Sequence, residues 1–348
     1  MPESAQAYEN PLFCQALSGE STPRPPIWLM RQAGRTDPEY NALRERIGMP
    51  LEEMFRQPDI AAEVTLMPWR LGVDALIIFQ DILTPLAPMG VPFVFAPGPI
   101  TPEPLRGPDD VARVHGLDPA EALPHVEQAY LLARHAIGNA LPLLGFAGAP
   151  LTLAVFMIEG GSFGEDAPHT KAMMAEDPKT LRTLLERLAD ATAEYLKFQA
   201  ACGAEAVQLF ESAAHLFSPE EYREFALPYQ QQIAGALQGA APLILFAREW
   251  TRLEDLAAVG ADAVSLPSTA PIARAREAIP GAKAFQGNLS NRLLADGPLE
   301  AILEAADACV ADGARRGHIF NLDHGLLRET PYEHVQALVQ HVRDSAAA

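Results

Sequence analysis

Cysteine is scarce in this chain. Three residues in 348, Cys14, Cys202 and Cys309, stand far apart and form no Cys-x-x-Cys pair. They cannot build a disulfide framework, and a reducing, cytoplasmic setting is expected. Positive charge is also short: 26 Lys and Arg face 45 Asp and Glu, for a net charge of −19. Such a chain repels nucleic-acid phosphates and anionic membrane surfaces, so neither is expected as a partner. Long apolar runs are missing too. The longest, residues 145–158, contains Gly148 and Pro150 and falls short of the ~20 residues of a spanning helix. The first ten residues are polar and carry acids, unlike a signal peptide. No glycine fingerprint follows the first apolar run, and no His-Glu-x-x-His helix or Cys/His cluster occurs, so no metal is expected.

What is present is apolar residue in quantity, 49% of the chain, enough for a large core. Short β-like runs alternate with helical patterns. Eight strands are expected, at 26–30, 75–79, 141–145, 206–210, 243–246, 263–266, 282–286 and 318–322. Helices read clearly between them. Asp177-Pro178 is an N-cap followed by proline at the first helical position, and Gly203 ends that run. Ser218-Pro219-Glu220-Glu221 is a capping box. Residues 300–311 and 332–342 carry the same periodicity. Eight strands separated by helices imply an α/β fold, a (β/α)8 TIM-type barrel as a single domain over residues 21–348, with residues 1–20 as an N-terminal arm. An open doubly wound sheet is the alternative. Residues 85–108 read as a proline-rich excursion.

In a barrel, chemistry collects at the C-terminal strand ends. The most informative stretch lies after the first run: Met30-Arg31-Gln32-Ala33-Gly34-Arg35. Two arginines four apart, on so acidic a chain, suit a clamp for a particular anion. Pairing with Asp37 or Glu39 is the plainer reading. The second strand delivers Gln80 and Asp81, where an aspartate can also serve merely as a cap. The third leads to Gly148, Pro150 and Phe156. The fourth delivers Glu211 and Ser212; no Gly-x-Ser-x-Gly elbow surrounds Ser212, so a nucleophile is not expected there. Arg248, Ser268 and Asn288 follow strands five to seven, and Asn321, Asp323 and His324 follow the eighth. Gly160-Gly161-Ser162-Phe163-Gly164 lacks phosphate-loop spacing and reads as a flexible lid.

Assembled in order, these pieces resemble the uroporphyrinogen decarboxylase family from about Pro25 to His341. The matching segments are Trp28 to Arg35, Ile77-Ile78-Phe79 with Asp81-Ile82-Leu83-Thr84, Gly145 to Pro150 with Glu159-Gly160-Gly161, Leu209-Phe210-Glu211-Ser212, Phe225 to Tyr229, Gln286 to Leu289, and Asn321-Leu322 with His324-Gly325. The resemblance implies a homodimeric barrel enzyme, without metal or organic cofactor. It would remove the four acetate carboxylates of uroporphyrinogen III to give coproporphyrinogen III. It further implies that Asp81 and Arg31 are catalytic, and that Arg31, Gln32, Ala33, Gly34, Arg35, Asp81, Phe156, Ser212 and His324 bind substrate. Asp81 would accept the pyrrole N–H groups, and the arginines would meet substrate carboxylates. The proton donor is left between Arg31 and His324.

The chain departs from the family pattern near these positions. Thr36-Asp37 replaces Tyr-Leu, Gln80 replaces a serine before Asp81, Phe156 replaces a tyrosine, Pro267-Ser268 replaces Asp-Trp, and Asp323 replaces a glycine before His324. Two rival readings follow: a tetrapyrrole-binding protein without turnover, and a zinc-dependent, corrinoid-linked methyltransferase of the same superfamily.

Overall fold

The computed structural model describes residues 8–34 and 36–345. Residues 1–7 of the expected arm, Arg35 of the expected clamp, and residues 346–348 lie outside this range. Local signals shape the helices. Asp177 accepts from Thr180 N–H at 3.2 Å and starts the helix Pro178–Ala201. Ser218 and Glu221 form the reciprocal capping box, at 3.2 and 2.7 Å, that opens Pro219–Phe225. The expected helices at 300–311 and 332–342 are Leu299–Gly313 and Tyr332–Asp344. Among the described residues no helix is long and apolar enough to cross a membrane.

The strands are β1 (Leu76–Ile77), a hairpin of β2 (Val94–Phe95) and β3 (Pro99–Ile100), then β4 (Leu143–Gly148), β5 (Ala206–Glu211), β6 (Leu243–Ala247), β7 (Ala263–Ser265), β8 (Ala284–Gln286) and β9 (His318–Ile319). Seven of them form one parallel sheet in the order β1-β4-β5-β6-β7-β8-β9, and the hairpin stands apart. The hairpin lies inside the proline-rich excursion. Helices separate successive parallel strands, as parallel crossovers require, and the curled sheet is a TIM-barrel-like α/β fold. The expected strand at 141–145 is displaced toward β4, because Pro142 cannot donate to the ladder and the regular strand starts after it.

The first expected strand, 26–30, is not a ladder strand. Pro25 and Pro26 lack the N–H groups a ladder needs. The segment still closes the barrel between β9 and β1. Ile27 makes a parallel bridge to Phe320, Phe320 N–H donates to the Pro26 carbonyl at 2.8 Å, and Asp74 N–H donates to the Ile27 carbonyl at 2.7 Å. Side chains supply what the ladder lacks. The buried Asp74 carboxylate accepts from Arg24 at 2.6 and 2.8 Å, from Ile27 N–H at 2.7 Å, and from Asn10 at 2.6 Å. Inside the barrel, Trp28 Nε1 donates to Gln286 at 3.0 Å, and Gln286 donates to Gln208 at 3.0 Å. All three are fully buried, so each polar atom needs its partner.

Removing one member of a buried ion pair leaves an unpaired charge, at a cost of about 3–5 kcal/mol. Asp74→Ala is therefore expected to lose about that much stability in urea denaturation followed by circular dichroism. A loss below ~1 kcal/mol would mean the segment is held without this carboxylate.

Candidate active site

A cavity of about 1200 Å³ opens at the C-terminal strand ends. Arg31, Ala33, Gln80, Asp81, Phe156, Ser212 and His324 all line it. These come from five separate parts of the chain: the closing segment, the ends of β1, β5 and β9, and the helix Pro150–Glu159.

Arg31 follows directly on the closing segment, and its backbone is left-handed, with φ of 65°. That conformation costs a non-glycine residue roughly 1–2 kcal/mol, so the surroundings must impose it. They do so on both sides. Asn321 Oδ1 accepts from Met30 N–H at 3.1 Å, and Leu326 N–H donates to the Met30 carbonyl at 3.0 Å. Gln32 accepts from Leu29 N–H at 2.9 Å and donates to the Ala75 carbonyl at 3.0 Å. The Arg31 stem lies over Gly325: a Cβ there would come within 2.5 Å of Arg31 Cδ. Only glycine lets the β9 loop approach so closely.

Asp81 joins both readings of it. Its Oδ1 accepts from Leu83 N–H at 2.9 Å as a turn cap, and the residue also faces the cavity. Burial raises its pKa above the usual carboxylate value, while the Leu83 N–H and the Arg31 charge pull it back down. His324 Nδ1 accepts from Gly325 N–H at 2.5 Å, which leaves the proton of the neutral ring on Nε2. Its ring stands edge-on to Phe246 at 5.6 Å, the end of an aromatic row running through Phe210 to Phe146. Phe156 packs against Phe163 at 4.8 Å and Phe93 at 6.4 Å. The glycine run expected as a lid is bonded to the hairpin instead: Thr101 N–H donates to the Gly160 carbonyl and Ser162 N–H to the Pro99 carbonyl, both at 3.0 Å. Together they form one wall of the cavity.

Several strand-end residues serve the frame and do not line the cavity. The Gln32 carboxamide is buried and consumed by the bonds above, and Gly34 is buried as well. Asn321 is fully buried beneath Met30. Asn288 donates to the Pro267 and Ala270 carbonyls at 2.8 and 2.7 Å. Asp323 accepts from Asn291 N–H at 2.9 Å, so its carboxylate holds a loop. Asp37 caps the helix Pro38–Ile47 and pairs with Arg70, and Glu39 pairs with Arg70 at 3.1 Å.

Four polar lining residues escaped the sequence analysis: Tyr40, Asn41 and Arg44 on the helix Pro38–Ile47, and Arg328 on the turn after β9. The Asp37-Pro38 start signal, with Tyr40 and Arg44 one turn apart on one face, carried the clue for that helix. Among the described lining residues, the cations Arg31, Arg44 and Arg328 outnumber the anions Asp81 and Glu159. Glu159 is engaged by Thr170, through N–H and hydroxyl, both at 2.8 Å. Among the described residues, no three His, Cys, Asp or Glu side chains come together as a metal site.

Behind Ser212 lies Glu211, fully buried at the end of β5. It accepts from Thr152 at 2.5 Å and Gln230 at 3.0 Å, and burial lifts its pKa from 4.5 to about 7. The folded state therefore holds this proton more tightly than the unfolded chain. The associated stability is complete below pH 4.5 and is lost as pH rises through about 7. Glu211→Gln is expected to remove that slope. Paired urea titrations at pH 5 and pH 8 should show wild type losing a few kcal/mol relative to the variant. Parallel curves would mean that Glu211 ionises as freely folded as unfolded.

The chain matches the profile of the family described as uroporphyrinogen decarboxylase (URO-D) over residues 8–345. It is 40% identical over 341 residues to uroporphyrinogen decarboxylase of Carboxydothermus hydrogenoformans, covering 96% of each chain. It is 41% identical over 340 residues to that of Chloroflexus aggregans, covering 95% of this chain and 94% of the other. Among solved structures, a methyltransferase from Methanosarcina mazei superposes with a TM-score of 0.77 at 20% identity, covering 97% of this chain and 99% of that one. That likeness concerns the fold alone. With the sequence matches spanning the closing segment, the strand ends and the cavity, the chain belongs to the uroporphyrinogen decarboxylase family.

Proposed function

We propose that this protein decarboxylates the four acetate side chains of uroporphyrinogen III to give coproporphyrinogen III, as a carboxy-lyase of tetrapyrrole biosynthesis. The observation that carries this reading is the carboxylate of Asp81 on a cavity of about 1200 Å³ that also presents Arg31, Arg44 and Arg328. Pockets for drug-sized ligands run to roughly 300–1,000 Å³, so a cavity above that range suits a larger occupant such as a macrocycle. Eight substrate carboxylates call for cations around the rim, and four pyrrole N–H groups call for one acceptor near the centre. The aromatic residues Phe156 and Phe210 line the space between.

The chemistry needs an electron sink. Protonating a pyrrole ring carbon beside the acetate makes the ring cationic. The bond to the carboxylate then breaks, its electron pair neutralises the ring, and carbon dioxide leaves. The exocyclic methylene takes a proton to become methyl and the ring proton is returned, so one proton is consumed per carbon dioxide released. Asp81 stabilises the ring cation at short range in a site of low dielectric. Arg31 holds substrate carboxylate and places the reacting ring. Arginine's pKa is above ~12, which makes it a poor acid. His324 lines the same cavity, with Nδ1 occupied by Gly325 N–H, and imidazole is a side-chain type that serves as a general acid. Ala33 lines the cavity beside Arg31, and Gly34 and Arg35 are assigned to substrate by their place in the sequence motif alone. Ser212 adds a hydroxyl, and Gln32 supports the turn from below.

Anaerobic incubation with reduced substrate, followed by chromatography that counts remaining carboxylates, tests the reading. Stepwise loss of four carboxylates is expected; tight binding without carbon dioxide release would leave a binding protein. Asp81→Asn is expected to lower kcat by roughly 100-fold or more with a much smaller change in binding. Equal losses in both would reduce Asp81 to a positioning group. We extend the reading to a homodimer acting in the cytoplasm, for which sedimentation equilibrium is the direct check.

A further inference from the structure

We infer that Arg328 is a carboxylate-binding residue of the cavity rim, one that adds affinity for every polycarboxylate in the reaction series without entering the chemistry. This rests on the reading above and extends it to a residue on the turn beyond His324.

Three observations carry it. First, Arg328 lines the cavity and its guanidinium is exposed. Second, it has no ion pair or side-chain hydrogen bond among the described residues, although Glu329 stands next to it. That glutamate is taken by Arg292 at 3.2 Å. The local acid that would quench Arg328 is thus diverted to the other side of the turn. Third, the turn is held in place. Asn291 N–H donates to Asp323 at 2.9 Å, Asn291 Nδ2 donates to the Gly325 carbonyl at 3.0 Å, and Leu326 N–H donates to the Met30 carbonyl at 3.0 Å. Leu326 is buried and Thr330 N–H closes the turn onto the Leu327 carbonyl at 3.3 Å. The backbone that bears Arg328 is ordered before any ligand arrives, so binding is spared that entropy.

The charge of the whole chain sharpens the point. At −19, the protein repels a polyanion at long range, and the attraction must come from cations concentrated at the mouth. A rim guanidinium meets carboxylates that persist from substrate to product. Its contribution is equal in the ground state and the transition state, which lowers KM and leaves kcat alone. Because it is exposed, salt screens it.

The test uses Arg328→Ala, Arg328→Lys and Arg328→Glu in the full chain. Two readouts are needed: steady-state decarboxylation, and fluorescence titration with oxidised uroporphyrin, the aromatic macrocycle bearing the same eight carboxylates. Arg328→Ala should raise KM and the porphyrin Kd roughly fivefold to tenfold, with kcat within a factor of two of wild type. The effect should shrink as salt is added. Lysine should restore part of the loss, and glutamate should exceed alanine. Thermal melting should be unchanged, since no partner is lost. Wild-type KM and salt dependence in Arg328→Ala, with wild type itself active, would overturn this inference alone. A wild type that neither decarboxylates nor binds the porphyrin would overturn the function and this inference together.

Discussion

The bond on which the active site rests is far from the chemistry. Asp74, buried just before β1, takes Arg24, Ile27 N–H and Asn10 on one carboxylate. Two prolines deprive the segment 26–30 of a ladder, and side chains take over its attachment. Asp74 grips its start, Gln286 and Asn321 grip its middle and end, and Gln32 ties the following turn to β1. This order of anchors explains why Arg31 can adopt a left-handed backbone. The strain is local and the restraints lie on both sides of it. Loosening the closing segment would release Arg31 from Gly325 and from the cavity at once.

The same economy runs through the departures from the family pattern. Asp323 adds a negative charge beside His324, yet its carboxylate is bonded to Asn291 N–H and it does not line the cavity. Asp37 caps a helix and is paired with Arg70. Both acids act on the backbone, and the helix that Asp37 starts is the one that brings Tyr40 and Arg44 to the site. The Asp37 charge is met by Arg70, and the Asp323 carboxylate is turned onto a backbone amide, so neither acid lines the cavity. Phe156 loses a hydroxyl but keeps a ring packed between Phe93 and Phe163, so the wall survives the change.

Much of this was legible in the sequence because the determinants are local. Asp177-Pro178 and Ser218 with Glu221 specify helix starts within four residues, and those helices begin where expected. Asp81, Phe156, Ser212 and His324 could be gathered from the strand-end rule alone, and all face one cavity. What escaped depends on contacts distant in sequence. The regular strand at 26–30 failed because neither proline donates, and the side-chain bonds that replace it come from residues up to 291 positions away. Gln32 reads as a site residue by its place in the motif, but burial commits its amide to the frame. Arg44 and Arg328 sit on a helix and a turn, where no strand-end reading looks.

Asp81 itself sits on a balance that substrate must alter. Burial pushes its pKa up; the Leu83 N–H and Arg31 hold it down. A bound carboxylate on Arg31 would offset part of that cation's pull and drive Asp81 toward protonation, which would cost the site its counter-charge. Pyrrole N–H donors act in the opposite sense, since hydrogen bonds to the ionised form favour it. The macrocycle thus compensates at its centre for what its side chains remove at the rim. An additional cation away from Asp81, such as Arg328, can share the carboxylate load without drawing on Arg31, so the rim and the centre of the cavity can be tuned separately.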